Sequence, residues 1–311
     1  MRKKSNEGRR LTRNHYELLI MATMGAVFIT IFSYLPMFGL VLAFKDGDRA
    51  INLLKVMFSG EWTLKNFTTL FTDKIFWQTF VNTLQINLLQ LVFGFPMPII
   101  FALLMNEIGN KGARNTMQTI CNFPHFLSWT VYGGIIIALV ASDTGVVNPV
   151  LETLGLSSSE NPVDLNLAQF FYPKIIIASM LKGFGWGSIV YIAAIAGIDP
   201  ELYEAAQIDG AGRWKRAVKI TLPLMLPTIT VFLLLRISNL LSNSFEMFYV
   251  FESKDDITVS RVLATYVYEL SFTRSKWSTS TLCSLSEGVI SLILLLSSNA
   301  FSKKLTGRGI F

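Results

Sequence analysis

Three ionisable side chains, Lys182, Arg236 and Glu287, stand in stretches that are otherwise almost wholly apolar. At bilayer depth a charge costs roughly 2.5–3.5 kcal/mol, so such residues pair with one another or line a polar path. With about 1.5 Å of rise per helical residue they fall within reach of one layer, and the expectation is that Glu287 is neutralised by Arg236 or Lys182. Catalytic chemistry finds no support. The only histidines are His15 and His125, no HExxH, CxxC or GxSxG pattern occurs, and the absence of any Gly-Lys pair rules out a GxxxxGK[ST] phosphate loop. Cys121 and Cys283 lack metal-ligand spacing and read as free thiols in apolar surroundings. The chain is expected to be non-enzymatic, with no metal site and no cofactor of its own.

A second constellation is mechanical. The stretch from Asp199 to Pro223 opens with Asp199, a helix cap, and Pro200, whose missing amide costs nothing at a first helical position. Glu201 and Glu204 suit the positive end of the helix dipole. Gly210 can take the left-handed conformation that ends this helix, and a second helical stretch is expected over 211–221 before Pro223 opens the next apolar run. Ala205 and Ala206 are small enough for another protein's groove to approach the helix closely, while Glu204 and Asp209 offer charged contacts. A short helix of this kind, pushed by a partner, tilts the elements attached to it.

The elements that must hold these residues are membrane spans. Of 311 residues, 51% are hydrophobic and only 15% charged, where a soluble chain carries about a quarter. Apolar runs of the length a bilayer demands, roughly 20 residues, are read over 18–44, 80–105, 120–141 (interrupted early by Pro124), 173–198, 224–251 and 282–301. The first is too long for a signal peptide and reads as a retained span. The net charge of +6 is dispersed into ends and loops, a pattern of topology rather than of nucleic-acid binding. Arg2, Lys3, Lys4, Arg9, Arg10 and Arg13, then Lys111 and Arg114, then Arg213, Lys215, Arg216 and Lys219, and finally Lys303, Lys304 and Arg308 all fall on one side. That side is expected to be cytoplasmic. The opposite loop over 143–166 has no Lys or Arg but has Asp143, Glu152, Glu160 and Asp164; the outer segments over 45–74 and 252–276 mix both signs. Trp62, Phe67, Leu70 and Phe71 are spaced as an interfacial amphipathic helix, read as a packing lid.

The stretch EAAQIDGAGRWKRAVKITLP resembles the EAA signature of ABC-importer permeases, matched at Glu204, Ala205, Ala206, Gly210, Ile220, Leu222 and Pro223. Ala217 departs from the larger apolar or aromatic residue usual there. The flanking GWGSIVYIAAIAGIDPELYEAA, SNSFEMFYVFESK and TYVYELSF look like the complex-carbohydrate, LplB-type branch, and the similarity runs from about residue 76 to the end. The resemblance implies an all-α integral membrane protein of six transmembrane helices with the type I importer permease fold. It further implies that Glu204, Ala205, Ala206, Asp209, Gly210 and Ala211 contact a partner ATPase. Implied partners are a second homologous permease, two cytoplasmic ATP-binding subunits that carry ATP and Mg, an extracytoplasmic solute-binding protein, the lipid bilayer and an oligosaccharide, with no nucleic acid.

Sugars are held by aromatic faces together with amide and hydroxyl hydrogen bonds. Trp186, Tyr191, Asn239, Asn243, Phe245 and Tyr249 are the candidates for that role, alongside Lys182, Arg236 and Glu287. The expected organisation is a basic tail over 1–17, a permease region over 18–302 containing the coupling loop 199–223, and a tail over 303–311, in a bacterial cytoplasmic membrane with both ends cytoplasmic. Two other readings remain open on the residues alone. One is an ion-coupled secondary transporter, which would need paired half-folds or broken spans around a midplane ion site. The other is a non-transporting anchor for an ATPase.

Overall fold

The computed structural model describes residues 13–143, 145–158, 162–253 and 255–306, and within them the chain forms helices and loops, with an isolated antiparallel β-bridge between Lys45 and Trp62. Arg2, Lys3, Lys4, Arg9, Arg10, Glu160 and Arg308 lie outside the described residues. Among the described residues, five helices are long and apolar enough to cross a membrane: Tyr16–Phe44, Lys74–Asn106, Ala168–Ala196, Arg213–Ser238 and Trp277–Lys304. We call these the first, second, fourth, fifth and last spans.

The third run is not one rod. The expected span over 120–141 is instead a helix Lys111–Asn122, a 3-10 turn Phe123–Phe126 and a short apolar helix Trp129–Leu139. The 11 residues of that last piece cover only about 16 Å of a hydrocarbon layer of about 30 Å. Pro124 causes the break, because it lacks an N–H and its ring crowds the carbonyl four residues back. One side chain gathers the carbonyls at the break, the Pro124 carbonyl accepting from the Leu127 amide at 3.3 Å as well. Lys182 of the fourth span, 6% exposed, donates to the carbonyls of Pro124 at 2.8 Å, His125 at 3.1 Å and Leu127. Its ammonium also lies 5.2 Å from the ring centre of Trp129, and Trp186 stacks on His125 at 4.6 Å. Gly185 lets the preceding helix come close, since a Cβ there would collide with the Cys121 carbonyl.

Three spans absorb a proline by the same device. The turns Thr30–Tyr34, Gln90–Gly94 and Ala217–Thr221 widen to π geometry, each ending just before a residue that is followed by Pro36, Pro96 or Pro223. In each, the residue before the proline donates five positions back: Leu35 to Thr30, Phe95 to Gln90 and Leu222 to Ala217. The extra residue in the turn keeps the helix running where a regular turn would lose a bond and clash. Pro223 therefore does not open a new span. One continuous helix runs from Arg213 to Ser238, the expected run over 224–251 ends there, and after a non-helical stretch the chain resumes as Phe245–Val250. Ala217, the residue that departs from the signature, is buried at this π turn.

The outer segments are fastened by long-range polar contacts. Asp48 caps the last span, accepting from the Ser278 and Thr279 amides at 3.0 and 3.1 Å and from the Thr279 hydroxyl at 2.7 Å. Asn82 of the second span donates to the Thr258 and Arg261 carbonyls at 2.7 and 3.1 Å, and the Thr83 hydroxyl accepts from the Leu263 amide at 2.9 Å. The mixed charges over 252–276 pair internally: Glu269 takes Arg261 at 3.0 Å and Arg274 at 2.6 Å. The lid expected around Trp62 is the helix Lys65–Phe71; Leu70 is buried in a core with Phe76, Tyr266 and Leu282, whereas Trp62 lies outside the helix beneath the Lys45 ammonium.

Lys182→Met should leave the His125 and Leu127 carbonyls without the ammonium and the Pro124 carbonyl with only the Leu127 amide, at about 1–3 kcal/mol for each orphaned acceptor. The expected outcome is a lower unfolding temperature in detergent and faster proteolysis between residues 123 and 128, partly rescued by Lys182→Arg.

Candidate functional site

The segment between the fourth and fifth spans stands clear of the bundle. Asp199 accepts from the Glu201 amide at 3.0 Å and starts the helix Pro200–Ile208. That helix ends in a Schellman arrangement: Gly210, at φ 73°, donates to Gln207 at 3.1 Å while Ala211 donates to Ala206 at 2.9 Å. No atom lies within 4 Å of where a Gly210 Cβ would stand, so backbone conformation alone reserves the position for glycine. Glu204, Ala205, Asp209 and Gly210 are exposed, and Ala206 and Ala211 half-buried. Ile208 and Trp214 are 87% and 81% exposed and Leu202 is exposed beside them. The expected coupling residues thus share one projecting element, together with apolar side chains that the sequence reading missed.

Two contacts tie this element to the spans. The Tyr203 hydroxyl meets the Thr221 hydroxyl at 2.9 Å, at the π turn that begins the fifth span. Arg213 lies 3.9 Å from Glu107, just past the end of the second span; that pair is largely solvated and contributes little by itself.

A second feature lies deeper. A cavity of about 330 Å³ opens where the second, fourth and fifth spans meet, lined by Asn87, Gln90, Trp129, Gly183, Arg236, Ser242 and Asn243 among others; ligand clefts begin at about this size. Arg236 donates to Gln90 Oε1 at 2.6 Å, and Asn87 donates to Asn243 Oδ1 at 2.8 Å. Of the cargo-path candidates only Arg236 and Asn243 line it. Tyr191 is buried against Phe232, Trp186 packs on His125, and Asn239 bonds back to the Leu235 carbonyl of its own helix. Phe245 and Tyr249 belong to an aromatic ladder that continues through Tyr268 and Phe272 to Trp277. Asn87, Gln90 and Trp129 were not foreseen. The readable signal was a polar stripe, Thr79, Asn82, Thr83, Asn87 and Gln90, at helical spacing in an otherwise apolar span.

The expected neutralisation of Glu287 does not occur. Arg236 is held by Gln90 and Lys182 by backbone carbonyls, while the half-buried Glu287 makes no ion pair or hydrogen bond among the described residues. The reason is local: each cation meets an uncharged acceptor on a neighbouring element. Cys121 and Cys283 are both free thiols.

On the opposite face, Asp255 joins two outer segments. A hydrogen bond from the Ser253 hydroxyl, then one from the Ala168 amide, hold its carboxyl below the usual carboxylate range. Burial moves the neighbouring Glu252 the other way, against the pull of Arg261.

Residues 94–308 match the model of the family described as binding-protein-dependent transport system inner membrane component. Protein LplB of Bacillus subtilis (strain 168) is 37% identical over 94% of this chain and 91% of its own length. The polygalacturonan/rhamnogalacturonan transport system permease protein YteP of the same strain is 34% identical over 94% and 90%. Among solved structures, a chain of a bacterial ABC transporter involved in the import of the acidic polysaccharide alginate superposes with a TM-score of 0.83 at 35% identity, covering 94% of this chain and 97% of that one. A second chain, from the alginate ABC transporter in complex with an alginate pentasaccharide-bound periplasmic protein, superposes with a TM-score of 0.83 at 34% identity, over 96% and 97%. With its spans, its projecting EAA element and this agreement over nearly its whole length, the chain belongs to the inner membrane components of binding-protein-dependent transport systems, as a multi-pass permease subunit of the ABC importer type.

Proposed function

We propose that this permease carries an oligosaccharide released from a polysaccharide, delivered by an extracytoplasmic solute-binding protein and driven by ATP hydrolysis on partner subunits. The observation that carries the reading is the helix Pro200–Ile208, which holds Ala205 open to close approach and presents Leu202 and Ile208 to solvent, with Trp214 exposed at the start of the helix that follows. Apolar side chains rimmed by charge in this way suit a protein interface. A cleft on a cytoplasmic ATPase is the partner that the EAA signature implies. ATP and Mg²⁺ stay on that partner, and this chain contributes no catalytic group. The basic residues around the element support a cytoplasmic position for it, and with it for both ends of the chain.

The coupling is mechanical. The helix that leaves this element at Arg213 runs unbroken for 26 residues, about 39 Å, and brings Arg236 to the cavity near its far end. Tyr203 bonded to Thr221 makes the short helix and the base of that rod move together. Closure of an ATPase pair would draw the short helices of this chain and a second permease together, tilt the rods and open the cavity toward the receptor; hydrolysis would reset it. The first helix, whose side chains over 16–38 are all exposed, has its apolar surface free for lipid or for the second permease. The names borne by the relatives, polygalacturonan, rhamnogalacturonan and alginate, support a polysaccharide-derived cargo.

In proteoliposomes holding the complete importer, uptake of the receptor-delivered sugar should require ATP, stop with vanadate and survive an uncoupler. Uptake that survives ATP depletion and collapses with the uncoupler would identify an ion-coupled carrier instead. ATPase binding with no solute movement would leave a scaffold.

Ala205→Trp should abolish co-purification of the ATPase, because an indole fills the space that a docking groove needs. Tyr203→Phe removes one hydrogen bond, about 0.5–1.5 kcal/mol. It should leave the complex assembled while lowering the sugar imported per ATP hydrolysed severalfold.

A further inference from the structure

The cavity between the second, fourth and fifth spans has a one-sided chemistry. No Asp or Glu lines it, and its only ionisable group is Arg236. Arginine can only donate, so Gln90 must turn its carbonyl oxygen toward Arg236, 2.6 Å away. The other end of that side chain, which is 9% exposed overall, is an amide Nε2 with no hydrogen-bond partner. The same logic fixes Asn243. Asn87 Nδ2 donates to the Thr83 carbonyl at 3.0 Å and to Asn243 Oδ1 at 2.8 Å, which leaves Asn243 Nδ2 as a second buried, unpartnered donor. Both free amides and the remaining guanidinium N–H groups thus belong to residues that line one cavity, with Trp129 in the same lining.

Buried donors without acceptors, next to a cation without a counter-ion, are costly unless something supplies negative charge and acceptor oxygens. We propose that this cavity is a transit subsite for the carboxylate of an acidic sugar residue. The guanidinium of Arg236 and the amides of Gln90 and Asn243 receive the two carboxylate oxygens, and Trp129 meets the C–H face of the ring. The assignment rests on the importer reading and narrows its cargo to uronate-containing oligosaccharides. It also explains why Gln90 rather than an acid pairs with Arg236, since the amide holds the guanidinium in place between cargoes without supplying a charge that would compete with them. A donor set of one cation and two neutral amides, with the cation already shared with Gln90, gives a moderate, releasable hold, as a transit site requires.

The test uses the whole complex, permease pair with its ATPases, in nanodiscs, and trigalacturonate and its carboxyl-reduced neutral counterpart as probes in direct binding measurements. Trigalacturonate should bind at least tenfold more tightly than the neutral trisaccharide, with a preference that shrinks as salt rises. Arg236→Gln should collapse that ratio toward one and Arg236→Lys should restore part of it. Asn243→Asp is the companion variant: it keeps an oxygen for Asn87 but replaces the free N–H₂ with a carboxylate oxygen, and should invert the preference. Unchanged unfolding temperatures would certify each variant as folded. Equal binding of the two probes by the native complex, no binding of either, or a preference that persists in both Arg236→Gln and Asn243→Asp would overturn the proposal. Vanadate-sensitive import of receptor-delivered sugar, measured in parallel, keeps the outcomes apart: its persistence while the preference is absent removes only the carboxylate subsite, whereas its absence from the native importer removes the importer reading itself.

Discussion

A carbonyl released from a helix inside a bilayer has no water to turn to, and the protein must satisfy it from within. The rest of this membrane body depends on how that constraint is met at Pro124. The third apolar run stops being a helix there, and the Lys182 ammonium collects the freed carbonyls of Pro124, His125 and Leu127. A lysine at this depth would be hard to explain as an isolated charge. As a threefold donor facing three carbonyls it is matched in number and direction. Because it also lies over Trp129, the same residue that closes the break sets the ring that lines the cavity.

Prolines elsewhere are handled without breaking the rod. The π turns before Pro36, Pro96 and Pro223 keep the first, second and fifth spans continuous. In the fifth span this continuity makes a single lever of the stretch from Arg213, beside the exposed Pro200–Ile208 helix, to Arg236 at the cavity. In the second span the π turn begins at Gln90, so the residue whose carbonyl takes the extra bond is also the one whose side chain holds Arg236. Backbone adjustment and site construction coincide at that residue, as they often do at π turns.

The two ends of the molecule are built on different principles. At the projecting element, short-range rules suffice: an Asp cap, a Pro at the first position, and a Gly at positive φ closing a Schellman turn. At the opposite face, beside local pairs such as Glu269 with Arg274, key fastenings span a large stretch of chain. Asp48 caps a helix that starts at Trp277, Asn82 holds the backbone of Thr258 and Arg261, and Asp73 accepts from the Tyr266 hydroxyl at 2.8 Å. These contacts join loops to span ends, so the outer surface is organised by the bundle rather than by its own sequence.

The sequence by itself determined the class of the protein, because hydrophobic run length, the distribution of basic residues and the spacing around Glu204 and Gly210 are local properties that chain order preserves. It also determined the helix Pro200–Ile208 nearly to its ends, since caps and left-handed glycines act over a few residues. Only the tertiary structure decided what the buried charges do. Lys182 and Arg236 chose backbone carbonyls and Gln90 over Glu287 because those acceptors lie on neighbouring elements, at a range that no spacing along the chain reports. It likewise decided that the runs around Pro124 and Asn239 are broken while the one at Pro223 is not. A proline carries the same local penalty wherever it stands, and whether the chain bends, widens or stops there depends on which side chain is at hand to take up the freed backbone.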